Sequence, residues 1–153
     1  MITLLNNKNQ DMAEDIVRLQ KASYKVEAEL IGYMQIPPLL EVSEDIMESQ
    51  ETYYGYFVDG DLAGIISYII EDGVLDICKV AVHPDYFKKG IARQLLQLTE
   101  KMDGINKITV STGKANRPAV NLYLSQGFVK TREFEVEKGL FIASFEKQVG
   151  YNE

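Results

Sequence analysis

The 153-residue chain has one cysteine, Cys78, and one histidine, His83, and these two shortages remove whole classes of chemistry. No intrachain disulfide is available, and the Cys- and His-rich ligand sets of zinc sites cannot be assembled. A thiol nucleophile would depend on the pairing of Cys78 with His83 alone. Basic residues are also scarce. Lys and Arg number 16 against 23 Asp and Glu, a net charge of −7, so the basic face that nucleic-acid binding requires is missing. Such acidity gathers cations, amines included, but serves solubility equally well. The opening residues Met1 to Asn6 carry neither a basic flank nor a sustained apolar core, which argues against a signal peptide or a spanning helix. A cytoplasmic domain that touches no membrane, no metal and no nucleic acid is the expectation.

What is present is ordinary globular material. Hydrophobic residues make up 46% of the chain and charged residues 25%, and the length suits a single domain over residues 1–153. Folding removes roughly two-thirds of such a chain's surface from water, enough for a sheet covered by helices. Asp11 and Glu14, at capping-box spacing before Ile16, Leu19, Val26 and Leu30, predict a first helix to about Gly32. Pro37 and Pro38 forbid its continuation, and Ser43 with Glu44 and Asp45 predicts a second, short helix. Runs at Tyr53 to Val58, Leu62 to Ile70 and Val74 to Val82, punctuated by Asp59-Gly60 and Asp72-Gly73, predict an antiparallel three-strand meander.

Ile91, Leu95, Leu98 and Met102 then give one apolar helix face from about Lys88 onward. A strand at Lys107 to Ser111 follows, then a helix opened by Pro118 and closed by Gly127-Phe128. A final hairpin flanks Lys138-Gly139, with strands at Phe128 to Val136 and Leu140 to Phe145. With a short strand at Met1 to Leu5, this order predicts an α/β fold (mixed α+β): a mostly antiparallel sheet of six or seven strands with helices on both faces.

The segment Val80-Ala81-Val82-His83-Pro84-Asp85-Tyr86-Phe87-Lys88-Lys89-Gly90-Ile91-Ala92-Arg93 passes from a strand through a Pro-containing turn into a helix. Amides at a helix start lack intrahelical acceptors and share the positive end of the dipole, so a pyrophosphate can satisfy several together. Gly90 permits close approach, small Ala92 leaves room, and Lys88, Lys89 and Arg93 add positive charge. A solvated first turn of a surface helix explains the segment equally well. Two nucleotide motifs fit less well. Thr112-Gly113-Lys114 lacks the earlier glycine of a P-loop, since Ile108 stands there, and Ala115 replaces its Ser or Thr. Ala92 breaks the dinucleotide fingerprint after Gly90.

Further on, Asn116-Arg117-Pro118-Ala119-Val120-Asn121-Leu122-Tyr123-Leu124-Ser125-Gln126-Gly127-Phe128 follows the next strand. Together the two segments resemble the GCN5-related N-acetyltransferase (GNAT) family, over roughly Tyr53 to Phe145 in element order. The family's pyrophosphate motif reads here as Phe87-Lys88-Lys89-Gly90-Ile91-Ala92, with Phe87 where Gln or Arg is usual. The resemblance implies acetyl-coenzyme A as co-substrate and main-chain pairing of Val80-Ala81-Val82 with its pantetheine arm. A Val80 N–H would polarise the thioester carbonyl. It further implies Tyr123 as proton donor to the leaving thiolate and Asn116 as a cofactor contact, although capping explains Asn116 as well.

An amine nucleophile must be neutral to attack, and with a pKa near ~10.4 only about one in a few thousand is neutral at pH 7. Asp76 stands four residues before Val80, where some histone-modifying relatives carry a glutamate base, and alternation would give it the face of Cys78 and Val80. An exposed strand-end residue is the competing reading of Asp76. Cys78 reads as a small buried hydrophobe and His83 as a turn residue. The acceptor, an amine-bearing small molecule or a protein, is expected between the N-terminal helices and the sheet, near Tyr24, Glu27, Tyr33 and Ile36, none of which belongs to a motif. A catalytically weak CoA-binding regulatory or interaction domain is the rival reading. Acyl chain preference stays open, as does the choice between a monomer and a homodimer.

Overall fold

The computed structural model describes residues 1–150. Strand β1 (Ile2–Leu5) leads into helix α1 (Gln10–Ile31), one-turn helix α2 (Pro37–Leu40) and helix α3 (Ser43–Glu48). Strands β2 (Thr52–Val58), β3 (Asp61–Glu71) and β4 (Val74–Val82) form the meander expected from the sequence. After them come helix α4 (Ile91–Thr99), strand β5 (Lys107–Gly113), helix α5 (Arg117–Ser125), strand β6 (Val129–Glu137) and strand β7 (Leu140–Gln148). The seven strands form one sheet in the order β1-β2-β3-β4-β5-β7-β6. Every neighbouring pair is antiparallel except β4 with β5, which are joined through α4.

Helices cover both faces. Ala13, Ile16 and Leu19 of α1 and Ile46 of α3 pack with Tyr53, Ile65 and Ala81 on one side. Ile91, Leu95 and Leu96 of α4 and Tyr123 of α5 pack with Ile66, Tyr68, Leu75 and Ile108 on the other. Leu95 and Leu96 are each essentially inaccessible, a burial of about 1.5–3 kcal/mol per side chain. Gly64 lets α4 sit directly on β3, because a Cβ there would lie 2.8 Å from Ile91 Cγ2. The start of α4, and the loop before it, are thereby held against the sheet. Among the described residues no helix is long and apolar enough to cross a membrane.

Several boundaries differ from the sequence expectation for identifiable reasons. The α1 cap is Asn9, whose side chain accepts the Met12 N–H at 2.9 Å, so Asp11 lies inside the first turn. Ser43 is the first residue of α3 rather than its cap, and the Asp45 carboxylate instead accepts the Val42 N–H at 2.9 Å. Gly32 (φ 71°) ends α1 as expected, and the prolines, expected only to stop a helix, open the one-turn α2. The apolar face of α4 begins at Ile91, since Lys88 (φ 64°) and Gly90 (φ 78°) are both left-handed and cannot belong to the helix.

Candidate active site

One extra residue shapes the cleft. Lys79 faces Ser67 and Ile77 faces Tyr68, leaving Cys78 as a bulge in β4. A bulge bends its strand and increases the local twist, and the parallel pairing with β5 ends just before it, at Asp76 opposite Thr109. Beyond that pair β4 continues to Val82 and β5 to Gly113 as separate strands. A wedge opens between them.

The bulge also reverses the alternation of side chains. Ile77 and Val80 both belong to the core under α4, whereas Ala81 belongs to the core under α1. Asp76, next to Ile77 and opposite Ile69, therefore lies on the α1 side, and the face it was expected to share with Val80 is not shared. Its carboxylate is exposed and accepts from Thr109 Oγ1 at 2.6 Å. Cys78, expected to be buried, is exposed at the bulge. Partial desolvation, with the nearby carboxylates Glu51 and Asp76, pushes its thiol up to about 12, so it stays protonated.

Main-chain groups of β4 line the wedge. His83 N–H donates to Ala63 O at 2.8 Å, which fixes the ladder so that Ala81 pairs with β3 while Val80 and Val82 turn their amides toward β5. Helix α1 meets these groups. Val80 N–H donates to the Tyr24 hydroxyl at 3.2 Å, the same hydroxyl donates to Val80 O at 3.4 Å, and Val82 N–H donates to Ser23 Oγ at 3.2 Å.

At the wide end, the chain turns through Pro84 to Tyr86, with His83 Nδ1 accepting the Asp85 N–H at 3.1 Å, as suits a turn residue. Phe87 is 40% exposed, and Lys88 and Lys89 lie in the loop rather than in the helix. The first bond of α4 is Gln94 N–H to Gly90 O at 3.1 Å. The amides of Ile91, Ala92 and Arg93 therefore have no intrahelical acceptor. A Cβ at Gly90 would lie 2.9 Å from Arg93 Nη2, so the guanidinium folds back over the glycine, whose φ of 78° is what disfavours any other residue there. Free amides, a left-handed glycine, one arginine and two lysines fit a diphosphate.

Tyr123 reaches the wedge from α5. It is 5% exposed and wedged between Phe128 and Phe145, with ring centroids 5.9 and 5.7 Å away. Gly127 (φ 91°) closes the helix below it, and Phe128 N–H bonds Tyr123 O at 3.0 Å. Burial first, then the charge of Glu27, raises the phenol above its ordinary value, so it holds its proton. Asn116 caps α5 through the Ala119 N–H at 3.3 Å, and its amide donates to Thr112 Oγ1 at 3.4 Å.

The four residues expected near the acceptor take different places. Tyr24 and Glu27 lie at the wedge. Tyr33 sits at its rim beside Glu137 on the final hairpin, whose carboxylate raises the Tyr33 phenol. Ile36, just before α2, packs against the apolar cluster that contains Tyr24. Sequence reading missed Ser23, Thr112 and a buried network around Lys79. That lysine, 5% exposed, reaches Glu41 at 2.6 Å, Tyr53 Oη at 2.8 Å and Glu51 at 4.0 Å. Gln20 Nε2 joins it through Glu41 at 2.7 Å, and Ser67 Oγ through Glu51 at 2.7 Å. Lys79, a charge amid the aliphatic residues of a buried strand, was the one visible signal.

Residues 13–128 match the model described as the acetyltransferase (GNAT) family. The chain belongs to the GNAT family. UPF0157 protein YqkA of Bacillus subtilis (strain 168) is 40% identical over 146 residues, covering 95% of this chain and 43% of that protein, so the GNAT domain here spans less than half of that relative. The ribosomal-protein-S18-alanine N-acetyltransferase of Escherichia coli superposes with a TM-score of 0.78 at 15% identity, covering 100% of this chain and 96% of the other. PaiA N-acetyltransferase of Thermoplasma acidophilum, in complex with coenzyme A, gives 0.71 at 20% identity, covering 94% and 98%. At such identities the structural likeness is one of fold, and the family membership supports acyl transfer in general.

Proposed function

We propose that this GNAT domain transfers an acetyl group from acetyl-CoA to a primary amine of a small molecule or protein, by direct attack in a ternary complex in the cytoplasm. One observation carries the reading. A single wedge joins the left-handed turn at Gly90 with the free first amides of α4, two strand amides turned inward at Val80 and Val82, and a buried, protonated phenol at Tyr123.

Acetyl-CoA supplies an activated carbonyl and a thiolate leaving group. The loop of Lys88, Lys89 and Gly90 with the first amides of α4 would hold its diphosphate, and the β4 main chain its extended arm. Val80 N–H would stabilise charge on the carbonyl oxygen, a role in which one donor contributes about 2.7–4 kcal/mol. Tyr123 would give its proton to the sulfur. A carboxylate at the wedge would relieve the incoming ammonium of its proton.

Release of free coenzyme A, followed over a panel of polyamines, aminoglycosides, amino acids and peptides, tests the proposal, with Tyr123→Phe as control. Turnover with at least one amine is expected. Tight CoA binding without transfer to any amine would refute it in favour of a regulatory CoA-binding domain. The Tyr24 hydroxyl on the Val80 amide favours that second reading.

A further inference from the structure

Asp76 lies on the α1 side of the sheet, but its exposed carboxylate is already engaged by Thr109 Oγ1 at 2.6 Å, which leaves open which group takes the ammonium proton. Helix α1 answers this. Its last turn crosses the end of β5, where a Cβ at Gly113 would lie 2.7 Å from Ile31 Cγ2. Residues three and four apart share a helix face, so Tyr24, Glu27 and Ile31 stand in one row above the wedge. The first of them touches Val80 and the last touches Gly113. Glu27 lies between. Thr112 Oγ1 approaches its Oε2 at 3.5 Å, and Asn116 supports Thr112 from behind at 3.4 Å.

Most carboxylates near the sheet are already paired. Glu41 and Glu51 share Lys79, Glu100 holds Lys147, Glu133 holds Lys114, and Glu146 holds Lys107. Among the described residues Glu27 makes no such ion pair and is met only by a neutral hydroxyl and a neutral amide. The titratable groups facing it are Tyr24 on its own helix and Tyr123 on α5, with Glu51 acting on Tyr24 from the segment before β2. A half-buried carboxylate with no cation of its own is suited to receive one.

We propose that Glu27 binds the acceptor ammonium and takes its proton, an assignment that rests on the acetyltransferase reading above. The ammonium gives one proton to the Glu27 carboxylate, and the freed lone pair forms the C–N bond as the C–S bond breaks. Tyr123 passes its proton to the sulfur and regains one from the new amide nitrogen. Glu27 releases its own to water, so one proton is liberated per turnover. The two groups act in sequence through their charges. Burial, and after it the charge of ionised Glu27, keeps Tyr123 protonated while the amine arrives, and neutralising Glu27 removes the second of these as the thiolate departs. Burial raises the Glu27 carboxyl, as suits a base that must work near neutrality.

The test compares wild type, Glu27→Gln and Asp76→Asn on an amine that wild type acetylates, from pH 5 to 9, with CoA binding followed by calorimetry. Glu27→Gln is expected to lower kcat/KM by about 100-fold or more, to abolish the acidic limb of the pH profile, and to leave CoA affinity unchanged. Its fold is checked by melting. The folded-state pKa of Glu27 is raised from 4.5, so wild type binds this proton more tightly when folded and loses stability as pH climbs through the raised value. Glu27→Gln lacks that loss. It should melt no lower than wild type at pH 8, and the difference should vanish below pH 4.5. Wild-type transfer with Glu27→Gln keeping its rate and acidic limb overturns this assignment alone, as does a larger loss in Asp76→Asn. Absence of transfer from wild type to any amine removes the acetyltransferase reading, and this assignment with it.

Discussion

Tyr24 occupies the main-chain groups that an acyl-CoA arm would need, which makes Tyr24→Phe an informative substitution. The hydroxyl accepts from Val80 N–H at 3.2 Å and donates to Val80 O at 3.4 Å, and Tyr24 is 8% exposed. Binding along β4 must first break these bonds. A protein hydrogen bond contributes a net ~0.5–1.5 kcal/mol, so removing the competing hydroxyl should tighten CoA binding by about 2- to 13-fold. The free protein should lose stability at the same time, because an amide left without a partner costs about 1–3 kcal/mol. Calorimetric titration with CoA and acetyl-CoA reads the first effect, and melting with and without ligand reads the second. The ligand-induced rise in Tm should be larger in the variant. Unchanged or weaker binding, with the fold intact, would mean that the hydroxyl is compatible with the bound arm or contacts it, and would refute the competition.

Tyr123→Phe should lower kcat by about 100-fold or more while CoA affinity stays within twofold, since the ring packing on Phe128 and Phe145 is kept. Because burial and Glu27 hold this phenol above 10.0, wild-type rates should not fall through its ionisation below pH 10, and a limb lost on Tyr123→Phe in that range would contradict the assignment. Gly90→Ala forces a side chain into a left-handed position at φ 78° against Arg93, a cost of about 1–2 kcal/mol. CoA binding should weaken by roughly tenfold, and unchanged binding would remove the loop from the diphosphate site. Lys79→Met leaves Glu41 and Glu51 facing one another without their shared cation. Breaking a buried pair costs about 3–5 kcal/mol, and because these carboxylates are 27% and 20% exposed the lower figure is expected in urea unfolding.

The elements could be read from the sequence because each is set by neighbours. The Asp-Gly turns, the period of Ile91 and Leu95, and the Gly127-Phe128 terminator all act within a few residues, and their backbone conformations follow. The segment around Gly90 could be picked out for the same reason, although its helix, expected from about Lys88, starts at Ile91. Its left-handed glycine, its lysines and the helix behind it are consecutive, so the likeness to a family motif and the physical reading concern the same few atoms.

The acceptor side had no such support. Tyr24 meets Val80 across 56 residues of sequence, and Glu27 meets Thr112 across 85, distances over which no spacing rule operates. The bulge at Cys78 compounds this. One inserted residue reverses which face every later side chain takes, so alternation carried from Asp76 to Val80 paired side chains that the strand separates, while Cys78, read as a small buried hydrophobe, lies open at the bulge itself. The same bulge ends the pairing of β4 with β5 and opens the wedge. The irregularity that defeats a periodic reading is therefore the one at which the two strands part. In such a sheet the reacting carboxylate is better sought among groups that face the opened edge from outside the strand than by counting along the strand itself.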